Sequence, residues 1–292
     1  MKYILVTGGA GFIGTNLIKK ISAVSNVKII SYDNYSTGSK KNHIENNNIT
    51  YIKGDTKNFE KVFDNIKKNI LVIFHFAEFS RIAQSFDNMH KCFETNILGS
   101  HNVINFALKN KIKIIYSATS ASLGSKESDK DLSPYSFSKH TNMNLIMNLN
   151  KWYGLKYEII YFYNVYGPYQ IKNSYMSAVV GIFEECYKNN IPLPIVKPGT
   201  QTRKFTHVDD TVNACIYAWK KNKNRHYSIS HKKSISIINL AKLFSKNYKF
   251  ISERKGERFK SSEVKQVRGR KIYNLYGKIS ITDYIKSFKN NL

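Results

Sequence analysis

The chain has 292 residues, 42% of them hydrophobic, enough to bury one large core or two unequal ones and too many for a disordered polymer. Its 46 Lys and Arg against 20 Asp and Glu give a formal charge of +26, yet the excess is spread through Asn- and Ile-rich stretches such as "KKNHIENNNIT". With no basic helix or aromatic-rich motif, a nucleic-acid-binding module is not expected, and the three far-apart cysteines and unspaced histidines speak against a disulfide framework or a metal site.

At the start of the chain, "YILVTGGAGFIGTNLIKKI" passes from a β-rich apolar run through glycines into residues at helical spacing, a strand, turn and helix unit. The glycines read as Gly9-x-Gly11-x-x-Gly14 or Gly8-x-x-Gly11-x-x-Gly14, and either pattern lets amides at a helix N-terminus approach a diphosphate. The next run, "VKIISYD", ends in Asp33, where a carboxylate can accept both ribose hydroxyls and would repel a 2′-phosphate. NAD is therefore the expected cofactor.

Further short apolar runs follow in "ITYIKGD", "ILVIFHFA", "IKIIYSATS" and "YEIIYFYNVYG", separated by stretches long enough for helices. That alternation predicts an α/β fold, a doubly wound parallel sheet of the Rossmann type. Ligands sit beyond the carboxyl ends of such strands, so Asp55, His75 to Glu78, Ser117 to Thr119 and Tyr163 to Asn164 are expected around one crevice. Beyond Pro168 the alternation weakens. The expected organisation is a cofactor domain over 1–167 and a smaller α/β substrate domain over 168–292, with some segments returning to the sheet.

In "SPYSFSK", Pro134 suits a helix entry and places Tyr135 and Lys139 one turn apart on one face. An ammonium beside a phenol favours the phenolate, which is expected to lower the tyrosine below its usual pKa of about 10. Thr119 sits at the end of the preceding strand and is expected to share the crevice. These parts can support oxidation of a secondary alcohol by hydride transfer to a nicotinamide.

The chain resembles the extended short-chain dehydrogenase/reductase family, among its NAD-dependent nucleotide-sugar epimerases and dehydratases. The resemblance rests on "TGGAGFIG", "YDNYSTG", "GDTKN", "FHFAE", "NILGSHNVI", "YSATSASLG", "PYSFSK", "YFYNVYGP", "QTRKFTHVDD" and "ERKGE" in that order. It implies that NAD is held by Gly8, Gly11, Phe12, Ile13, Gly14, Asp33, Asn34, Asp55, Thr56, Phe76, Ala77, Glu78, Asn96, Ser117, Tyr163 and Val165, and by Tyr135 and Lys139, the lysine contacting the nicotinamide ribose. It implies a catalytic Thr119, Tyr135 and Lys139, and a nucleoside-diphosphate sugar bound by Ser80, Arg81, Thr119, Asn164, Arg203, His207 and Arg254. Homodimerisation through helices around 89–108 and 135–152 is also implied.

Dehydratases of this family carry Asp-Glu after the active-site threonine, where this chain has Ser120 and Ala121. A 4-epimerase is therefore expected, with a dehydrogenase or reductase as the alternative. Glu78, Leu123 and Tyr161 stand where the family usually has a small residue, an aromatic and an arginine. The apolar run from Tyr3 to Val6 is too short for a secretory signal, and no run approaches the roughly 20 residues that cross a membrane, so a cytoplasmic protein is expected.

Overall fold

A computed structural model describes residues 2–123, 131–256, 259–260 and 264–292. Gly124 and Glu257, members of two of the motifs quoted above, lie outside the described residues.

The first half of the chain follows the predicted alternation. It runs β1 (Tyr3–Thr7), α1 (Phe12–Ser22), β2 (Lys28–Asp33), β3 (Ile49–Lys53), α2 (Phe59–Phe63) and β4 (Ile70–His75). Then come α3 (Ile82–Asp87), α4 (Met89–Phe93), α5 (Ser100–Lys109), β5 (Lys113–Thr119), α6 (Pro134–Tyr153) and β6 (Tyr157–Phe162). The second half contains β7 (Val165–Tyr166), α7 (Val179–Lys188), β8 (Leu193–Val196), β9 (Thr202–Lys204), β10 (Thr206–His207) and α8 (Val208–Lys221). It ends with β11 (His226–Ser230), β12 (Ser234–Ser236), α9 (Ile237–Phe244), β13 (Tyr248–Ile251), β14 (Gln266–Val267), β15 (Arg270–Tyr276) and α10 (Ile281–Asn290).

Among the described residues nine strands form one sheet in the order β14-β15-β11-β6-β5-β4-β1-β2-β3, parallel throughout except at the β14 edge. The chain direction across the sheet reverses between β1 and β4, and a crevice opens there at the carboxyl ends. Continuous apolar runs are explained by cover on both faces: every residue of β5 is buried. One face packs Leu5, Ile73, Ile114 and Ile159 against α5 and α6, the other packs Ile4, Val72 and Ile160 against α1 and α8.

From the second half, α8, β11 and β15 join this large unit, extending the sheet beyond β6. The remaining elements build a separate apolar cluster in which Phe183, Leu193, Leu240, Phe244 and Ile285 pack together. Its carriers are α7, β8, α9 and α10, and their loops close over the crevice. Between α4 and α5 the helix widens into a π-turn over Glu94–Gly99. That turn aims Asn96 inward at the loop after β4.

Candidate active site

A cavity of about 470 Å³ runs across the carboxyl ends of the parallel strands. The turn after β1 forms one end of it. Gly8 adopts φ +69, and a Cβ there would meet Ala77 N and Phe76 C at 2.8 Å; a Cβ on Gly14 would lie 2.2 Å from the Gly8 carbonyl. Only glycines permit that approach of helix, turn and neighbouring strand. Gly11 caps α1 with no side-chain cap, so the first-turn amides of α1 remain open to the crevice. An anionic group fits there, and a diphosphate supplies one.

Asp33 ends β2 at the same place. Its carboxylate accepts from Ala10 N at 3.0 Å and from Tyr35 N at 2.8 Å. Burial holds its carboxyl above the ordinary carboxylate range, with the amides of Tyr35, Ala10 and Gly11 pulling the other way. The two amides fix its orientation at the crevice wall, and a ribose diol fits its remaining lone pairs. Phe12, Ile13, Asn34, Thr56, Phe76 and Ala77 line the same end. These residues fit NAD.

Asp55 was expected beside the adenine, but it does not line the cavity: its carboxylate caps the next turn through Lys57 N at 3.0 Å and accepts from Asn34 Nδ2 at 3.0 Å. His75 is likewise withdrawn, fully buried between Thr7 Oγ1 at 2.7 Å and Ser100 Oγ at 2.8 Å. Asn96 brackets Phe79 instead of lining the crevice, accepting from its amide at 2.6 Å and donating to its carbonyl at 3.0 Å. Tyr163, in the connection between β6 and β7, packs into the core, whereas Phe162, Asn164 and Val165 line the crevice.

At the centre of the cavity lie Thr119, Tyr135 and Lys139, all buried. Thr119 ends β5, and its hydroxyl, which accepts from Ala121 N at 3.2 Å, lies beside the Tyr135 phenol. Ser133 caps α6 by accepting from Ser136 N at 3.1 Å, and Pro134 starts the helix, which fixes the first turn that carries Tyr135.

The charge around that tyrosine differs from the expectation. Lys139 Nζ pairs with the buried Glu78 carboxylate and donates to the Ser117 carbonyl, with Ser117 Oγ at 3.4 Å. Its three hydrogens are thereby occupied. Glu78 is held from its other side by Tyr116 Oη at 2.9 Å, Ser100 Oγ at 3.0 Å and Asn142 Nδ2 at 3.1 Å. The ammonium is thus paired within the protein, while Lys139 still lines the cavity. Burial pushes the Tyr135 phenol up to about 12; the Thr119 hydrogen bond and Arg81 oppose that, and Glu78 adds to it. The predicted lowering fails because Tyr135 is buried and because Lys139 is paired with a carboxylate from the loop after β4.

Ser80, Arg81, Asn164, Arg203 and Arg254 line the other end of the cavity, with Lys91, Lys255 and Lys260. Asp33 and Glu78 are the only acids among its described lining residues, and Glu78 is spent on Lys139. The region is positively charged overall. His207 is not part of it. Its ring caps α8 through Asp209 N at 3.2 Å and packs against Tyr166 and Tyr284.

Sequence reading missed Ser36 and Thr37 on the cofactor side, which the "YDNYSTG" match to Asp33 could have supplied. It also missed Tyr175, Met176 and Ser177 from the loop before α7, and Gln201 ahead of β9, which carry no motif. Tyr161, standing where the family has an arginine, is core: its hydroxyl meets His226 Nδ1 at 2.9 Å, far from solvent.

Residues 4–230 match the model of the NAD dependent epimerase/dehydratase family. The UDP-glucose 4-epimerase of Thermotoga maritima, solved with UDP-glucose, superposes with a TM-score of 0.87 at 26% identity, covering 99% of both chains. The UDP-N-acetylglucosamine 4-epimerase of Methanobrevibacter ruminantium superposes with 0.79 at 28% identity, over 97% of this chain and 91% of that one. The dTDP-D-glucose 4,6-dehydratase of Dictyostelium discoideum is 30% identical over 268 residues, 82% of this chain and 60% of its own. The doubly wound sheet, the glycine turn fitted to a dinucleotide and these likenesses agree: the chain belongs to the NAD-dependent epimerase/dehydratase family of extended short-chain dehydrogenase/reductase enzymes.

Proposed function

We propose that this chain is a nucleotide-sugar 4-epimerase. The observation that carries the reading is one neighbouring pair, Thr119 and Tyr135, buried in a cavity whose described walls hold no further free acid–base pair. Dehydration needs a second acid and base, and Ser120 and Ala121 occupy the positions after Thr119.

NAD, when bound along Gly8 to Gly14 and Asp33, supplies the hydride acceptor. Tyr135 takes the proton of the carbon-4 hydroxyl, and Thr119 orients that oxygen by donating to it. Arg203, Arg254 and Asn164 bind the diphosphate, as planar guanidinium forks suit phosphate oxygens. The ketone, once rotated in the cavity, would present its other face for return of the hydride, and Tyr135 gives the proton back to the carbon-4 oxygen. No net acid, base or oxidant is consumed, which suits a site with a single proton-transfer residue.

The test is incubation with UDP-, GDP-, dTDP- and CDP-hexoses, following nicotinamide absorbance and product stereochemistry. A carbon-4 epimer without net reduced cofactor is the expected result. Net reduced cofactor or a released 4-keto sugar would overturn it in favour of a dehydrogenase. Tyr135→Phe should abolish turnover while retaining NAD binding.

The assembly belongs to the same reading: a cytoplasmic homodimer joined through α4, α5 and α6. Support comes from Met89, Phe137 and Trp152, apolar residues exposed on α4 and α6, and from Leu98, exposed on the π-turn between α4 and α5. No helix among the described residues is long and apolar enough to cross a membrane.

A further inference from the structure

Arg81 occupies the loop between β4 and α3 and lines the cavity at its sugar end. Its Nε donates to the Met176 carbonyl at 2.6 Å, and its Nη1 to the Ser80 carbonyl at 2.8 Å and the Ser80 hydroxyl at 3.4 Å. Those bonds anchor the guanidinium between the loop after β4 and the loop before α7. They leave Nη2 without a partner among the described residues.

No carboxylate of the described residues forms an ion pair with it. Glu78 is held by Lys139, Tyr116, Ser100 and Asn142. Burial lowers the Arg81 guanidinium from its ordinary pKa, and Tyr135 is the charge that counteracts it. The guanidinium is half-buried at the cavity wall with no carboxylate partner among the described residues, and an anion that enters beside it gains a charge-assisted hydrogen bond. Beside Tyr135 the incoming group is the sugar, because the phenol meets the carbon-4 oxygen. The nearest position from which a hexose can present an acid to Arg81 is the carboxylate carbon attached to carbon 5.

We propose that Arg81 pairs with a sugar carboxylate, so that the substrate is a nucleoside-diphosphate glycuronate. This rests on the carbon-4 oxidation described above and names the substrate class of that same site. The pairing also bears on the fate of the ketone. A 4-keto glycuronate is a β-keto acid: if its carbon-5 to carboxylate bond breaks, carbon dioxide leaves and the electron pair passes to the carbon-4 enolate. Arg81 stabilises the charge while it sits on the carboxylate, which opposes that transfer and favours return of the hydride.

The decisive measurement is binding and turnover of UDP-glucuronate against UDP-glucose. Binding is read by calorimetry on the NAD-loaded Tyr135→Phe variant, turnover on the unmodified enzyme. A charge-assisted contact from Nη2 predicts a preference for the acid of about tenfold to 100-fold in both. In Arg81→Met that preference should collapse to about unity, with Arg81→Lys intermediate. Equal or weaker binding of UDP-glucuronate by the unmodified pocket overturns the proposal whether or not Arg81→Met folds. The two readings separate cleanly: preferential conversion of the acid with release of carbon dioxide supports the Arg81 contact and sinks the epimerase, whereas epimerisation of UDP-glucose without preference for the acid does the reverse.

Discussion

Replacing Glu78 by Gln tests how the protein sets the basicity of Tyr135. The substitution keeps shape and removes one negative charge. Its carbonyl should turn to Lys139, while the hydroxyls of Tyr116 and Ser100, which now donate to Glu78, can reverse to accept from the new amide. A unit charge within the same buried site, at an effective dielectric constant of about 20, is worth on the order of 1–2 kcal/mol, or roughly one pKa unit. Glu78 raises the phenol, and it also cancels the ammonium of Lys139. Its removal should therefore move the Tyr135 midpoint down from about 12 by at least about one unit.

Single-turnover hydride transfer to NAD, followed from about pH 6 to about pH 10, reads this directly. With the phenol at about 12, the rate of the unmodified enzyme should climb through that whole range, and the variant should reach the same relative rate about one pH unit earlier. At fixed pH below the midpoint that is about a tenfold gain in the ionised fraction. Unpairing Lys139 costs stability, on the order of 3–5 kcal/mol by analogy with other buried pairs, so near-UV circular dichroism should accompany the kinetics. A profile superimposable on that of the unmodified enzyme, or one displaced to higher pH, would refute the electrostatic account. A uniform fall in rate without displacement would show that Glu78 only holds Lys139 in place.

Acid should destabilise the fold in a defined window. Burial lowers His75 and His226 to about 4 from an ordinary 6.5. Both folded values lie below the unfolded one, so the stabilisation is complete above about pH 6.5 and lost as the pH falls toward 4, about 3 kcal/mol for each; urea unfolding across that range should show it, and a flat curve would not fit. Gly14→Ala brings a Cβ to 2.2 Å from the Gly8 carbonyl, and should weaken NAD binding at least about tenfold in fluorescence titration. Glu158→Ala leaves Lys113 buried and unpaired and strips an acceptor from the amides of Lys223, Asn224 and Arg225. Chemical denaturation should register a loss on the order of 3–5 kcal/mol, with the site's NAD affinity little changed.

The sequence by itself determined the parts that local chemistry dictates. Apolar runs between helical stretches demanded a sheet covered on both faces, and β5, buried at every residue, is that pattern realised. The glycines after β1 and the acid ending β2 were legible because a diphosphate and a ribose diol each need one particular backbone or side chain at a fixed chain distance. Tyr135 and Lys139 were legible as a helical pair for the same reason.

Tertiary structure decided what lies opposite those residues. Glu78 comes from the loop after β4, 61 positions before Lys139, and no periodicity relates the two. Burial raises Tyr135, and the meeting of Glu78 with Lys139 removes the opposing effect, since a buried carboxylate cancels the ammonium that the sequence pair promised. Core packing likewise withdrew Tyr163, and helix capping withdrew His207, choices set by what each side chain met in the folded chain. Arg81 shows the limit most plainly. Its position in the chain says that it is near the sugar, and only the packed loops show that it stands beside Tyr135 without a carboxylate of its own.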